Sequence, residues 1–183
     1  MKLTNRELAL TAALAAVSAV LQLIHLGYQS PQWGMWLDLV AVSWLIAFFL
    51  FGLRSSFYVS ILGFIVITLF APDTWLGASM KWLATAPMWL SLGFFSQKFK
   101  SFQKISSLVL PLTIGLIIRS LIIIPINYYY AIPIWTGMSP IVAIQTIPWY
   151  IIFGFNSIQG LIDVILAWTI VYRFRLSRFA NSS

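Results

Sequence analysis

Apolar residues fill six long stretches of the chain, and polar or turn-forming residues interrupt them only briefly. The stretches run about Glu7 to Leu26, Met35 to Phe51, Phe57 to Phe70, Leu76 to Phe95, Leu108 to Asn127 and Pro148 to Tyr172. Since about 20 apolar residues cross a hydrocarbon core as a helix, the pattern predicts six spanning helices joined by short loops. The last stretch is the most informative, because it keeps Asn156, Gln159 and Asp163 within an otherwise greasy run. At helical spacing these three and Gly160 fall within about 100° of one another and form one polar seam. Such a seam faces protein or a cavity, because lipid offers polar groups no partner.

The first stretch presents a different face. Ala9, Ala12, Ala13, Ala16 and Ala19 occupy an arc of about 120°, with Leu10, Leu14, Val17 and Leu21 on the other side. Small residues at spacings of three and four let another helix approach closely. The face therefore either packs against a neighbouring span or docks on a separate membrane subunit. Lys2 and Arg6 give this segment the look of a signal peptide, but its apolar region is too long and no polar segment precedes a cleavage site, so a retained helix is expected.

The connections differ in length and charge. Ser30-Pro31 marks a turn after the first span, Arg54 and its serines make a very short link, and Ala71-Pro72-Asp73 ends the third span. Pro87 is expected to kink the fourth span. Ser96 to Ser107 carries Lys98, Lys100 and Lys104, whereas Tyr128 to Thr146 is rich in Tyr, Pro, Gly and Trp and reads as a long loop serving as a lid or binding loop.

Composition supports a bilayer as solvent: 61% of residues are hydrophobic and 8% charged, with a mean hydropathy of +0.93. Residues 1–183 are then one all-α integral membrane domain with no room for a soluble catalytic one. Lys2, Arg6, Arg54, Lys98, Lys100, Lys104, Arg173, Arg175 and Arg178 all fall on one side of six spans, which predicts cytoplasmic termini and an external aromatic loop. The net charge of +7 gathers at span ends and not on an amphipathic face, which excludes nucleic acid as the expected partner. With no cysteine and His25 as the lone histidine, no disulfide, thiolate site or histidine metal cluster is expected. No phosphate loop and no nucleophile elbow occur, so neither an ATPase nor a hydrolase is expected, and no cofactor is called for.

The chemistry left inside the membrane is small. Asp38, Lys81, Arg119 and Asp163 are the intramembrane charges, each costing about 2.5 to 3.5 kcal/mol if unpaired at a helix centre. Depth pairs Asp38 with Lys81 near the outer face, either as a structural pair or as ligand contacts. It pairs Arg119 with Asp163 nearer the middle, expected as an ion pair locking the fifth and sixth spans. Asn156 and Gln159 offer donors and acceptors to a ligand or to a neighbouring helix. Trp33, Trp36, Trp75, Trp149 and Tyr128 sit where an outer pocket could stack them on a planar ligand.

Four motifs in this order resemble the substrate-binding S components of energy-coupling factor (ECF) vitamin transporters. They are the alanine face, Trp36-Leu37-Asp38-Leu39 before the run ending Phe51-Gly52, Gly77-Ala78-Ser79-Met80-Lys81-Trp82-Leu83-Ala84, and Phe155-Asn156-Ser157-Ile158-Gln159-Gly160-Leu161-Ile162. The last is similar to the family's P-F-N-x-x-K-G-x-x motif, with Gly154 in place of the proline and Gln159 in place of the lysine. The resemblance, with a lean to the riboflavin type, implies a six-helix subunit of a prokaryotic plasma membrane that captures a vitamin from outside. It also implies a transmembrane scaffold and two ATPases as partners, with Ala9, Ala12, Ala13, Ala16 and Ala19 as the docking face. The expected ligand contacts are Asp38, Lys81, Asn127, Trp149, Asn156 and Gln159. The rival readings are a self-contained carrier or channel, and an intramembrane enzyme using Asp38 or Asp163 as a base.

Overall fold

The computed structural model describes residues 4–24, 27–29, 35–70, 74–99 and 102–180. Lys2, His25, Ser30-Pro31, Trp33, Asp73 and Lys100, which carry expectations above, lie outside these residues. The first helix, α1 (Asn5–Ile24), starts where the sequence supplies a capping box. The Thr4 backbone N–H donates to Glu7 Oε2 at 2.7 Å, and the Glu7 N–H donates to Thr4 Oγ1 at 3.2 Å, so two otherwise orphaned donors are satisfied reciprocally.

The start of the second apolar stretch is not helical. Strands β1 (Gly27–Gln29) and β2 (Trp36–Asp38) pair antiparallel, Tyr28 opposite Leu37. The Val40 N–H is then taken by Asp38 Oδ1 at 2.8 Å, a local turn that lets the helix begin only after the aspartate. Helix α2 (Val40–Phe51) follows and is buried on every side from Val40 to Phe48, which explains why it is apolar all round.

Gly52 alone separates α2 from α3 (Leu53–Phe70), so the third helix begins earlier than its apolar pattern suggests. Small and polar residues fasten these first three helices. The Trp44 indole N–H donates to Ser18 Oγ at 2.8 Å, and Ser56 Oγ donates to the Trp44 carbonyl at 2.8 Å. A Cβ at Gly63 of α3 would stand 2.9 Å from Trp44 Nε1, so α3 approaches that ring only because it presents glycine there.

Helix α4 (Thr74–Ser96) contains Pro87, and α5 (Ser106–Ile126) contains Pro111 and Pro125. The Pro111 carbonyl accepts from Ser91 Oγ at 2.7 Å, tying α5 to α4. After Pro125, whose missing N–H interrupts the helical ladder, the chain widens into a π turn at Asn127–Ala131.

The expected loop from Tyr128 to Thr146 is instead helical: the π turn runs into α6 (Ile132–Thr136) and then α7 (Pro140–Thr146). Its loop-like residues are helix punctuation. Pro133 and Pro140 occupy first-turn positions, Gly137 with φ +72° closes α6, and Ser139 caps α7 by accepting from the Val142 N–H. The Tyr128 hydroxyl donates to the Ile147 carbonyl at 2.6 Å and holds this segment down. Helix α8 (Trp149–Trp168) continues through a π turn at Thr169–Arg173, and α9 (Ser177–Ala180) ends the described chain.

The helical stretches Leu53–Phe70, Ser106–Thr136 and Trp149–Arg173 are long and apolar enough to cross a membrane. Leu69, Phe70, Phe94, Leu121 and Phe174 all point outward, the surface expected of a membrane protein solvated by lipid.

Gly52 is held at φ 85°, ψ −169°, a region open essentially to glycine alone, and a Cβ there would meet nothing within 4 Å. Gly52→Ala should therefore destabilise through the backbone alone, by about 1–3 kcal/mol. Thermal unfolding in detergent would read it as a lowered midpoint with an unchanged helical spectrum.

Candidate functional site

The polar seam of α8 meets β2 in the bundle interior. Gln159 is the joint: its Oε1 accepts the Asp38 N–H at 2.9 Å, and its Nε2 donates to the Asp38 carbonyl at 2.7 Å. The same Nε2 donates to Asp163 Oδ1 at 2.7 Å, one turn along α8. One side-chain amide thus completes the edge of a strand and partners a buried carboxylate. Asp38 in turn accepts from Lys81 Nζ of α4 at 2.5 Å, with both side chains mostly buried.

Arg119 and Asp163 do not form the expected ion pair. Asp163 is wholly buried and its Oδ1 is engaged by Gln159, while Arg119 Nη2 donates to Asn156 Oδ1 at 3.2 Å. The reason is helical register: Asn156 and Gln159 precede Asp163 on the same face of α8 and reach each charge first. Asp38, Lys81, Arg119 and Asp163 still form one charge cluster, since Asp163 lies within electrostatic reach of the other three.

Above this cluster is a cavity of about 130 Å³. Asp38, Lys81, Asn127, Asn156 and Gln159 all line it, so five of the six expected contacts come together from β2, α4, the π turn after α5, and α8. The π turn carries Asn127 into the wall, where its Nδ2 donates to the Ile123 carbonyl at 2.9 Å. Trp149 is the exception: it is 59% exposed, edge-on to Tyr150 and Phe153, and lines no part of the cavity. It shares a helix face with Asn156 but stands seven residues away, about 10 Å along the axis and beyond the cavity rim.

Trp75 is likewise exposed against Tyr130, and Tyr128 is spent on Ile147. The aromatic and apolar wall comes instead from Trp135, Phe155, Met35 and Met80, with Gln22 of α1 and Arg119 completing the polar part. Trp135 escaped the sequence reading because its segment looked like a loop of no fixed direction. Among the described residues no group of three or more His, Cys, Asp or Glu side chains is placed to hold a metal ion.

Away from the cavity, Ala9, Ala12, Ala13 and Ala16 of α1 are exposed and Ala19 is half-buried, whereas Thr11, Ala15 and Ser18 of the same helix are buried in the bundle. Among the described residues, Ala9, Ala12, Ala13 and Ala16 are therefore not covered by a neighbouring helix.

Gln159→Ala would remove three hydrogen bonds and leave Asp163 buried without a partner. The expected loss of stability is about 2–4 kcal/mol, against about 1–3 kcal/mol for Asn156→Ala, which removes the single hydrogen bond of the buried Arg119 guanidinium. Unfolding midpoints of the two purified variants, measured in the same detergent, would give the order.

No family model and no curated protein sequence matches the chain. Its structure is similar to a solved one, the S component of a bacterial ECF transporter, with a TM-score of 0.76 and 26% identity over 97% of this chain and 98% of that one. The likeness runs the length of both molecules, and its architecture is that of a transporter subunit and not of an enzyme.

Proposed function

We propose that this chain is the substrate-binding subunit of an ECF-type importer, taking a small vitamin-like molecule into the cavity between β2, α4, α5 and α8. The observation that carries this reading is the polar cavity itself: five expected contacts converge on one space inside an apolar bundle that is similar to an S component. In the α8 motif Gln159 stands in place of the lysine and is occupied by Asp38 and Asp163, so the motif does not favour the riboflavin type over another vitamin. The ligand's chemistry is better read from the cavity than from that motif.

In this reading α1 to α5 and α8 are the six spans, both termini are cytoplasmic, and α6 and α7 cap the cavity on the outer side of a prokaryotic plasma membrane. The exposed alanines of α1 dock on a transmembrane scaffold, which two ATPase subunits drive, because this chain has no phosphate loop of its own.

The cysteine-free sequence permits a direct check of orientation. Ser139→Cys should react with an impermeant maleimide from outside intact cells and Lys98→Cys only after lysis; the reverse would overturn the topology. Docking and binding separate in a second experiment. Ala13→Trp should abolish ATP-driven vitamin uptake and co-purification with the scaffold while the isolated subunit still binds ligand. Uptake into liposomes by the subunit alone, without ATP, would favour a self-contained carrier.

A further inference from the structure

Among the described residues Arg119 is the buried side chain with two polar atoms left unpartnered. It is 2% exposed and lines the cavity, yet among the described residues Nε and Nη1 have no hydrogen-bond partner. A guanidinium carries five N–H donors, and the structure gives this one a single bond, to Asn156. The packing is shaped to keep it there: a Cβ at Gly160 would stand 3.3 Å from Nη1, so α8 presents its bare backbone where the guanidinium lies.

The neighbouring charges do not answer Arg119 directly. Asp38 is taken by Lys81, and Asp163 gives Oδ1 to Gln159 while its Oδ2, like Nε and Nη1 of Arg119, has no hydrogen-bond partner among the described residues. A buried charge left with so few protein partners is costly, and a ligand that supplies acceptors offsets that cost. A carboxylate fits best, because its two oxygens match the fork of an arginine and it brings the opposite charge. A phosphate dianion would call on a second free cation, and Lys81 is already committed to Asp38.

We infer that Arg119 recognises a carboxylate on the ligand, and that the substrate is a small vitamin-like organic acid. This rests on the cavity being the substrate site, and the test separates the two claims. Purified, washed subunit would be given an equimolar mixture of biotin, nicotinate, pantothenate and folate with thiamine, riboflavin, pyridoxine, nicotinamide and pyridoxal phosphate. Mass spectrometry would identify what is retained.

Retention of one of the four acids is expected, with about 10- to 100-fold weaker binding in Arg119→Gln and partial recovery in Arg119→Lys. Because Arg119→Gln could fail to fold, the wild-type protein would also be titrated with the retained acid and its neutral amide, the acid binding at least about tenfold tighter. Retention of a molecule without a carboxylate, or equal affinity for acid and amide, would overturn the carboxylate while leaving the binding subunit intact. If the wild type retains nothing, the substrate-site reading falls and this inference with it.

Discussion

A polar group inside an apolar bundle must find its partner within the protein, and the amide of Gln159 meets that requirement with three hydrogen bonds that join β2 to α8. It completes the backbone bonding of β2 at Asp38, partners the buried Asp163, and does so from the middle of α8. Without that joint the backbone of β2 at Asp38 would lose its hydrogen bonds to α8, which set the position from which Asp38 meets Lys81. The cavity wall is thus a consequence of hydrogen-bond satisfaction, and its charges are arranged before any ligand arrives.

The apolar part of the fold follows a second rule, that helices approach closely where side chains are small. Gly63 and Ser56 of α3 and Ser18 of α1 admit Trp44 between them, and Gly160 admits the Arg119 guanidinium against α8. In lipid no hydrophobic drive pulls helices together, so this close packing and these few hydrogen bonds hold the helices to one another. The same rule gives meaning to the exposed alanines of α1, which have the small-residue spacing of a packed face but, among the described residues, no helix against them.

Much of this was legible in the sequence. Six apolar stretches marked six helices, α2 the shortest of them at 12 residues, and the α8 seam marked part of the cavity wall, because a polar residue in a greasy run has few physical explanations. What could not be read was competition and direction. Arg119 and Asp163 share a depth, but which side chain reaches each first depends on register across two helices. Trp149 and Trp135 are both aromatic residues near a span end, and only the helical course of α6 brings the second over the cavity. Pro133, Gly137 and Pro140 serve equally as loop formers or helix punctuation, so the segment after Asn127 looked irregular when it is two short helices. The hairpin was hidden for a different reason: Trp36 and Leu37 run straight into the apolar stretch of α2, and three residues are too few to show a strand's alternation.

The placement of α1 ties the two faces of the molecule together. This single 20-residue helix exposes Ala9, Ala12, Ala13 and Ala16 near its start, while Leu21 and Gln22 in its last turns line the cavity. From Ala13 to Gln22 is nine residues, about 13 Å of continuous helix. Such a rod does not bend easily, since every residue between is hydrogen-bonded to the turn before it and no proline or glycine interrupts it. A partner that grips the alanines and tilts α1 therefore also shifts two residues of the cavity wall. On the proposed reading, docking and ligand release need no relay of side chains through the core, because one helix belongs to both surfaces.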